Sequence, residues 1–133
     1  MINMNDSQRL AQGIRKAIDD GVQDTFSYFT KQNDKIVGGC AVTQAAYGIT
    51  EKPLEELCEH TRGKFNTVKA FSKLLEVSYT LLDNMETLHC SHRYRLSSAS
   101  IAELLEEERI PADHIMTSEE IDSLCEGKKR RVE

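Results

Sequence analysis

The 133-residue sequence has no tryptophan, two prolines and few aromatic side chains, which make up 6% of its residues. Its core must therefore be built from leucine, isoleucine, valine and alanine. No apolar run approaches the roughly 20 residues that a membrane-spanning helix needs. The N-terminal residues lack the basic and then apolar pattern of a secretory signal. We therefore expect a cytoplasmic protein that contacts no membrane and keeps its four cysteines reduced.

Catalytic motifs are also lacking. Gly38-Gly39 has neither the lysine nor the helix context of a phosphate-binding loop. No pattern places a cysteine beside a histidine in an electropositive pocket, as an activated thiol nucleophile requires. The glutamates of ELLEEER lie on a helix that is mostly a solvated face, not a tuned acid–base pair. We therefore predict a non-enzymatic protein that needs no cofactor.

The formal net charge of −5 argues against indiscriminate binding of nucleic acid over the whole surface. The distribution of charge is more informative than the total. Residues 64–95 are slightly positive, with Lys69, Lys73 and Arg93 set against three acids, whereas residues 103–126 are strongly acidic. A partner can therefore meet two very different faces.

Apolar residues spaced by three or four predict helices along most of the chain. In the first such segment they are Leu10, Ile14, Ile18, Val22, Phe26 and Phe29. Asp6 or Ser7 is predicted to cap this helix, which should end near Gln32. Gly13 and Gly21 weaken the helix relative to alanine, but small residues also let another helix approach closely.

Two alternatives remain open for the glycine-rich stretch that follows. One is a short helix over residues 41–47 that stops at Gly48, and the other is a fragment of strand over residues 35–37. The next helix carries Pro53 in its first turn, where a missing N–H is harmless, and ends at Gly63.

Towards the C-terminus, capping boxes that begin at Ser100 and at Thr117 predict two further helices, the second ending at Gly127. Residues 128–133 are basic, have nothing to bury and are predicted to form a mobile tail. The whole pattern predicts an all-α fold, a compact bundle of five to six helices that forms one domain over residues 1–127.

Residues 65–85, FNTVKAFSKLLEVSYTLLDNM, permit two structures, both capped at Asn66. In the first, they form one helix packed into the bundle, or an ordinary helix pair. In the second, two helices cross at a tight turn, and VSYT, four residues of poor helix propensity, favours a break there. The apolar or small residues that this second structure needs are Phe71, Ser72, Leu75, Val77, Leu82 and Met85, with Ser78 as the cap.

These offsets resemble those of a generic helix-turn-helix, as in many bacterial and phage regulators, over some twenty residues. The resemblance implies that the second helix faces DNA and that the following arginines grip phosphates. The candidate DNA-binding residues are Ser78, Tyr79, Thr80, Asn84, Thr87, Arg93 and Arg95. Two features count against this alternative. Glu76 stands where glycine usually adopts a positive φ, and the outward Asp83 and Glu86 would repel phosphates.

Two further sites are considered. Cys58, His60, Cys90 and His92 would supply four zinc ligands if their helices met, whereas the ordinary alternative is that the cysteines act as small hydrophobes. Acidic residues near the C-terminus predict a ridge that contacts a basic protein surface, or simply a solvated face. The candidate ridge residues are Glu103, Glu106, Glu107 and Glu108.

Together these patterns predict a small, non-enzymatic, helical regulatory protein that acts by binding another macromolecule. A protein partner is favoured, including a homodimer that shares a core through the first helix. The alternatives are a helix-turn-helix transcriptional regulator that binds double-stranded DNA, and a zinc-stabilised helical adaptor.

Overall fold

The structure, a computed structural model, describes residues 4–91 and 93–132. Within these ranges the chain forms seven helices and one small sheet. The helices are α1 (Asp6–Asp19), α2 (Ala41–Thr50), α3 (Leu54–Thr61), α4 (Thr67–Leu75), α5 (Tyr79–Cys90), α6 (Ser98–Glu106) and α7 (Ser118–Cys125). The strands are β1 (Gln23–Asp24), β2 (Thr30–Gln32) and β3 (Lys35–Gly39). The fold is predominantly helical, as predicted, but it is not purely all-α, and the described residues form seven helices rather than the five to six expected.

The sheet replaces the second half of the predicted first helix. Helix α1 ends at Asp19, because Gly21 adopts a left-handed φ of 83° and the Val22 N–H turns back to the Ala17 carbonyl, at 2.9 Å. The prediction that this helix continues to Gln32 is therefore wrong. The apolar residues beyond residue 18 instead lie outside regular elements, with Val22 just before β1 and Phe26 and Phe29 in the bend between β1 and β2.

The three strands are ordered β1-β3-β2, with β1 parallel and β2 antiparallel to β3. The predicted strand over residues 35–37 is confirmed, and so is the helix after it, because β3 and α2 both exist. Gly39 is required here, since a Cβ atom on it would lie 2.2 Å from the Tyr28 carbonyl oxygen. Gly48 does not stop α2, which continues to Thr50.

Of the N-terminal caps predicted for α1, α4, α6 and α7, two are confirmed and two are wrong. Asn66 caps α4 and the capping box at Thr117 begins α7, as expected. Helix α1 is capped by Asn5 rather than by Asp6 or Ser7. Helix α6 is capped by Ser97, so it begins before the capping box that was predicted at Ser100.

Helices α4 and α5 confirm the tight turn within residues 65–85, and the single-helix alternative is wrong. Glu76 adopts a φ of 55°, as the turn requires, and Val77 is buried. The Ser72 hydroxyl donates to the Val77 carbonyl at 2.7 Å, and the Ser78 hydroxyl accepts from the Leu81 N–H at 3.2 Å. The two helices are thus joined by a tight turn, with the cap and the buried turn residue that the sequence predicted.

The C-terminal segment lies against the body of the protein, in contrast to the expected free tail. The Arg131 N–H donates to the Arg95 carbonyl at 2.7 Å, and the Arg131 Nε donates to the His89 carbonyl at 3.0 Å. The Lys129 carbonyl accepts from the Ser97 N–H, also at 3.0 Å. Arg131 is consequently 8% exposed. Residue 133 lies outside the described residues.

The core is mainly aliphatic, as the composition predicted. Phe71 is the one fully buried aromatic side chain among the residues that the structure describes. It packs beside Phe29 with ring centroids 6.3 Å apart. In the described part of the chain, no helix combines the length and apolarity needed to cross a membrane.

Backbone contact brings α1 and α2 together. A Cβ atom on Gly48 would lie 1.9 Å from the Gly13 carbonyl oxygen, and one on Gly13 would lie 2.5 Å from the Ala45 carbonyl oxygen. The close approach of a second helix at Gly13 is therefore confirmed. Since α6 packs against α1 as well, the apolar face of α1 is occupied within the chain.

Replacement of Gly48 by alanine tests this contact. In an unobstructed helix the change stabilises by about 1 kcal/mol. Here the added methyl group meets the backbone of α1, so we expect Gly48→Ala to destabilise the protein by about 1–3 kcal/mol in urea denaturation. Gln12→Ala on the exposed side of α1 is the control and should change stability little. A stabilised Gly48→Ala variant would show that the two helices are further apart.

Candidate functional site

Asn84 lies inside the protein, so the prediction that it faces outward towards DNA is wrong. It is 1% exposed, and its side chain holds the segment that precedes α7. Its Nδ2 donates to the Pro111 and His114 carbonyls at 2.9 and 3.0 Å, and its Oδ1 accepts from the Met116 N–H at 3.2 Å. Both N–H donors of this amide are therefore used within the chain, and its burial keeps the oxygen away from a base.

The solvent-facing stripe of α5 has no positive charge. Tyr79 and Thr87 are exposed and Thr80 is half-buried, while the stripe also carries Asp83 and Glu86. The Glu86 carboxylate accepts a hydrogen bond of 2.6 Å from the hydroxyl of Tyr28, whose loop borders one flank. The other flank is bordered by the segment that Asn84 holds. The stripe is narrow and acidic, which is unfavourable for the phosphates that line a major groove.

The remaining predicted DNA contacts belong to the ends of α5 and the connection after it. Ser78 caps α5, and its hydroxyl also donates to the Ala112 carbonyl at 3.0 Å. Arg93 is exposed, reaches Asp122 at 3.8 Å and lies over the Tyr94 ring at 5.2 Å. Arg95 adopts a φ of 46° where the C-terminal segment docks. The Arg93 side chain therefore has contacts within the chain, and the backbone of Arg95 holds the C-terminal segment.

Each carboxylate of the predicted acidic ridge has a partner within the chain. The pairs are Glu103 with Lys128, Glu106 with Arg15 at 2.8 Å, Glu107 with Arg109 at 3.6 Å, and Glu108 with Asn5. Exposed pairs of this kind contribute little to stability, with a median of about 0–1 kcal/mol. The three ion pairs do reduce the negative field that a basic partner would meet, whereas the neutral amide of Asn5 leaves the charge of Glu108 in place.

The predicted zinc ligands are not brought together in the described part of the chain. No group of three or more histidine, cysteine, aspartate or glutamate side chains that could hold a metal ion is found among the described residues. Cys58 is half-buried and His60 exposed on α3, and Cys90 ends α5. His92 lies outside the described residues.

A buried polar cluster around Asp24 and His89 was not predicted from the sequence. His89 is fully buried, and its Nε2 is hydrogen-bonded to one Asp24 carboxylate oxygen. The other oxygen accepts from the Ser98 N–H at the start of α6, at 2.8 Å. Burial alone would raise the pKa of Asp24, but the hydrogen bonds and the charge of these neighbours lower it overall.

Cys90 places a thiol beside this imidazole. Its Sγ lies 3.5 Å from Nδ1 of His89, so thiol, imidazole and carboxylate follow one another as in cysteine hydrolases. Burial, together with the negative charges of Cys40 and Glu86, raises the pKa of the Cys90 thiol to about 12. The nucleophile is the thiolate, and the imidazole has no exposed surface. The cluster thus supports structure better than catalysis.

A basic groove lies between α3 and α4 and is called the α3–α4 groove below. It encloses about 570 Å³. Its lining residues are His60, Lys64, Phe65, Asn66, Lys69, Ala70, Lys73 and Leu74. All three lysines are exposed, and none has an acidic partner among the described residues. Positive charge is therefore available in this groove.

The apolar parts of the groove are arranged around the same lysines. Phe65 has a relative exposure of 107%, so its ring contacts almost nothing in the chain. Leu74 is half-buried on α4. Asn66 fixes the start of α4 by accepting from the Lys69 N–H at 3.0 Å, and its Nδ2 donates to the Tyr79 hydroxyl at 3.1 Å. The groove thus combines a fixed helical floor with an exposed aromatic ring.

Comparison with protein-family models, with curated proteins and with solved structures finds no match. The groove is also a site that residue types alone did not indicate. In the sequence, Lys64, Lys69 and Lys73 count only as a slight local excess of positive charge. The available signal was the spacing of four between Lys69 and Lys73, which places both on one helix face.

Removal of the Asp24 carboxylate tests the buried cluster. Asp24→Ala leaves His89 and the Ser98 N–H without their acceptor, so we expect a loss of about 2–4 kcal/mol at pH 7 in urea denaturation. Because the pKa of Asp24 is lowered, its stabilisation is present above the ordinary pKa of 3.8 and is lost as the pH falls through the folded value. The difference in the free energy of unfolding between Asp24→Ala and the wild type should therefore become smaller below pH 3.8.

Asp19→Ala removes an exposed carboxylate that forms no hydrogen bond or ion pair in the described residues, and is the matched control. It should alter stability by no more than about 0.5 kcal/mol. A deficit of Asp24→Ala that is the same at pH 7 and at pH 3 would mean that the ionised carboxylate does not provide the stabilisation.

Replacement of Asn84 tests its internal role. Asn84→Ala removes three hydrogen bonds to the segment before α7, and we expect it to destabilise the protein by about 2–3 kcal/mol. Hydrogen exchange at the Met116 amide should also become faster, since its acceptor is lost. Thr87→Ala, on the exposed side of the same helix, should change neither quantity appreciably. Unchanged stability and exchange in Asn84→Ala would place this side chain at the surface.

Proposed function

We propose that this protein is a small, non-enzymatic regulatory protein that acts by binding another protein through the α3–α4 groove. The observation that carries the proposal is the uncompensated positive charge of Lys64, Lys69 and Lys73 beside the fully exposed Phe65. Aromatic side chains are frequent anchors of protein interfaces. Uncompensated charge at the rim steers the approach of a partner and selects its sign.

Several cations on other surfaces are paired with acids, while Lys31 and Lys35 of the sheet, like the groove lysines, have no acidic partner among the described residues. On α1, Arg15 contacts Glu106 and Lys16 contacts Asp20, and near the C-terminus Lys128 contacts Glu103. The acidic ridge is similarly paired within the chain. A homodimer through α1 has little support, because α2 and α6 already cover the apolar face of that helix.

A second candidate function is DNA binding by a transcriptional regulator. The geometry of α4, the turn at Glu76 and α5 favours it, and in such motifs the first helix lies across the phosphate backbone. Lys69 and Lys73 on α4 would meet phosphates in that arrangement. The protein partner is preferred because α5, the helix that would enter the major groove, presents Asp83 and no lysine or arginine.

Charge reversal in the groove tests the proposed function. We expect Lys69→Glu combined with Lys73→Glu to abolish capture of a protein partner from a nuclease-treated lysate of the native host. The captured protein is then identified, purified and titrated calorimetrically. Its affinity for the double variant should fall by about tenfold or more, since attraction becomes repulsion at two positions.

The control is Lys31→Glu combined with Lys35→Glu, which makes the same change of charge on exposed residues of β2 and β3. It should retain the partner. Equal binding by both double variants would exclude the groove as the binding site. A partner lost on nuclease treatment, together with steeply salt-dependent duplex binding by the wild type, would favour the DNA-binding alternative.

A further inference from the structure

We infer that the ligand of the α3–α4 groove is a short acidic segment of the partner protein with one large apolar side chain beside its paired carboxylates, on the same face of the segment. This inference rests on the proposed function and specifies the chemistry of the partner. Three features of the groove support it: the spacing of its lysines, the position of its apolar residues, and the absence of arginine from its lining.

Lys69 and Lys73 are four residues apart on α4, so their Cβ atoms lie about 5–6 Å apart on one face of the helix. Two carboxylates on the same side of an extended segment are separated by about 7 Å, since each residue advances the chain by about 3.3 Å. Lysine side chains are long and flexible enough to bridge the difference between the separation of their Cβ atoms and the separation of the carboxylates. Acidic residues at alternate positions of an extended segment therefore match both ammonium groups.

The apolar part of the ligand has a defined place. Ala70, at 8% exposure, and the half-buried Leu74 each follow one of the two lysines on α4 and line the groove together with Phe65. Lysine stems add apolar surface while their ammonium groups stay in water. A leucine or phenylalanine side chain placed there covers the ring of Phe65, which otherwise remains in solvent. The hydrophobic effect thus favours a segment with one such anchor over a purely acidic one.

The same features disfavour nucleic acid as the ligand. Arginine, which binds phosphate through two parallel hydrogen bonds, does not line the groove. A nucleic acid strand also extends well beyond three lysines, and the neighbouring stripe of α5 carries Asp83 and Glu86. A short peptide needs positive charge only over the groove itself. A second copy of this chain is disfavoured too, because its acidic ridge is already paired internally.

Titrations followed by ¹H–¹⁵N NMR test the inference with the full chain. The probes are a short extended peptide with glutamates at two alternate positions and a leucine at the next alternate position, the same peptide with serine in place of leucine, and a single-stranded oligothymidylate. We expect the leucine peptide to shift amide signals of residues 60–74. The serine peptide should bind about tenfold more weakly, as expected for the loss of one buried aliphatic anchor.

Three variants complete the experiment. Lys69→Glu combined with Lys73→Glu should abolish the shifts, Phe65→Ala should weaken binding of the leucine peptide but not of the serine peptide, and Lys31→Glu combined with Lys35→Glu should behave as wild type. All these side chains are exposed, so each variant should keep a well-dispersed spectrum. Shifts that depend on protein concentration without a probe would indicate self-association and overturn the inference.

The possible failures are distinguishable. Equal binding of the leucine and serine peptides, or tighter binding of the oligothymidylate, overturns the inferred ligand chemistry. A captured partner that requires Lys69 and Lys73 but is not displaced by the leucine peptide overturns the inference and leaves the proposed function standing. If the peptide binds at residues 60–74 but no partner depends on the groove, the proposed function fails.

Discussion

The hydrogen-bonded pair of Asp24 and His89 joins parts of the chain that are 65 residues apart in sequence. Through the Ser98 N–H it also fixes the start of α6, and through the His89 carbonyl it holds Arg131 of the C-terminal segment. Removing such polar groups from water is unfavourable unless every donor finds an acceptor. The pair therefore connects the sheet, α5, α6 and the C-terminal segment. It helps to fix the position of α5 relative to the other three.

The position of α5 determines which surfaces of α4 and α5 remain exposed to a partner. Asn84 draws the segment before α7 against one side of the helix, and Glu86 holds the loop of Tyr28 against the other. The turn between α4 and α5 resembles that of a DNA-binding motif. However, α5, the helix that would enter the major groove, has other parts of the chain on both of its sides. Helix α4 is not flanked in this way on its outer face, where Lys69 and Lys73 remain exposed. Local geometry alone consequently does not assign the function.

Sequence reasoning succeeded where the determinants are local. The caps at Asn66 and Thr117 and the break before Ser78 depend on residues within one helical turn, and all three are confirmed. Strands β1 and β2 were missed because the spacing from residue 18 to residue 29 also fits a helix, and the strand pairing that decides between them is set elsewhere in the chain. Asn84 and the Asp24–His89 pair were missed because their partners are distant in sequence. The burial of a polar residue depends on such partners, which periodicity does not reveal.

The charges of the acidic ridge and of the α3–α4 groove show the same difference between what is local in sequence and what depends on distant partners. The sequence predicted an interaction at the acidic ridge because negative residues are most concentrated there, but folding brings Arg15 and Lys128 against Glu106 and Glu103. The groove has fewer charges, and they are uncompensated, so its field extends into solvent. An uncompensated charge produces an electrostatic potential in the solvent that attracts partners of opposite charge. The potential of a neutralised ion pair is small beyond a Debye length of about 8–10 Å. The surface with the smaller formal charge is therefore the stronger candidate for recognition.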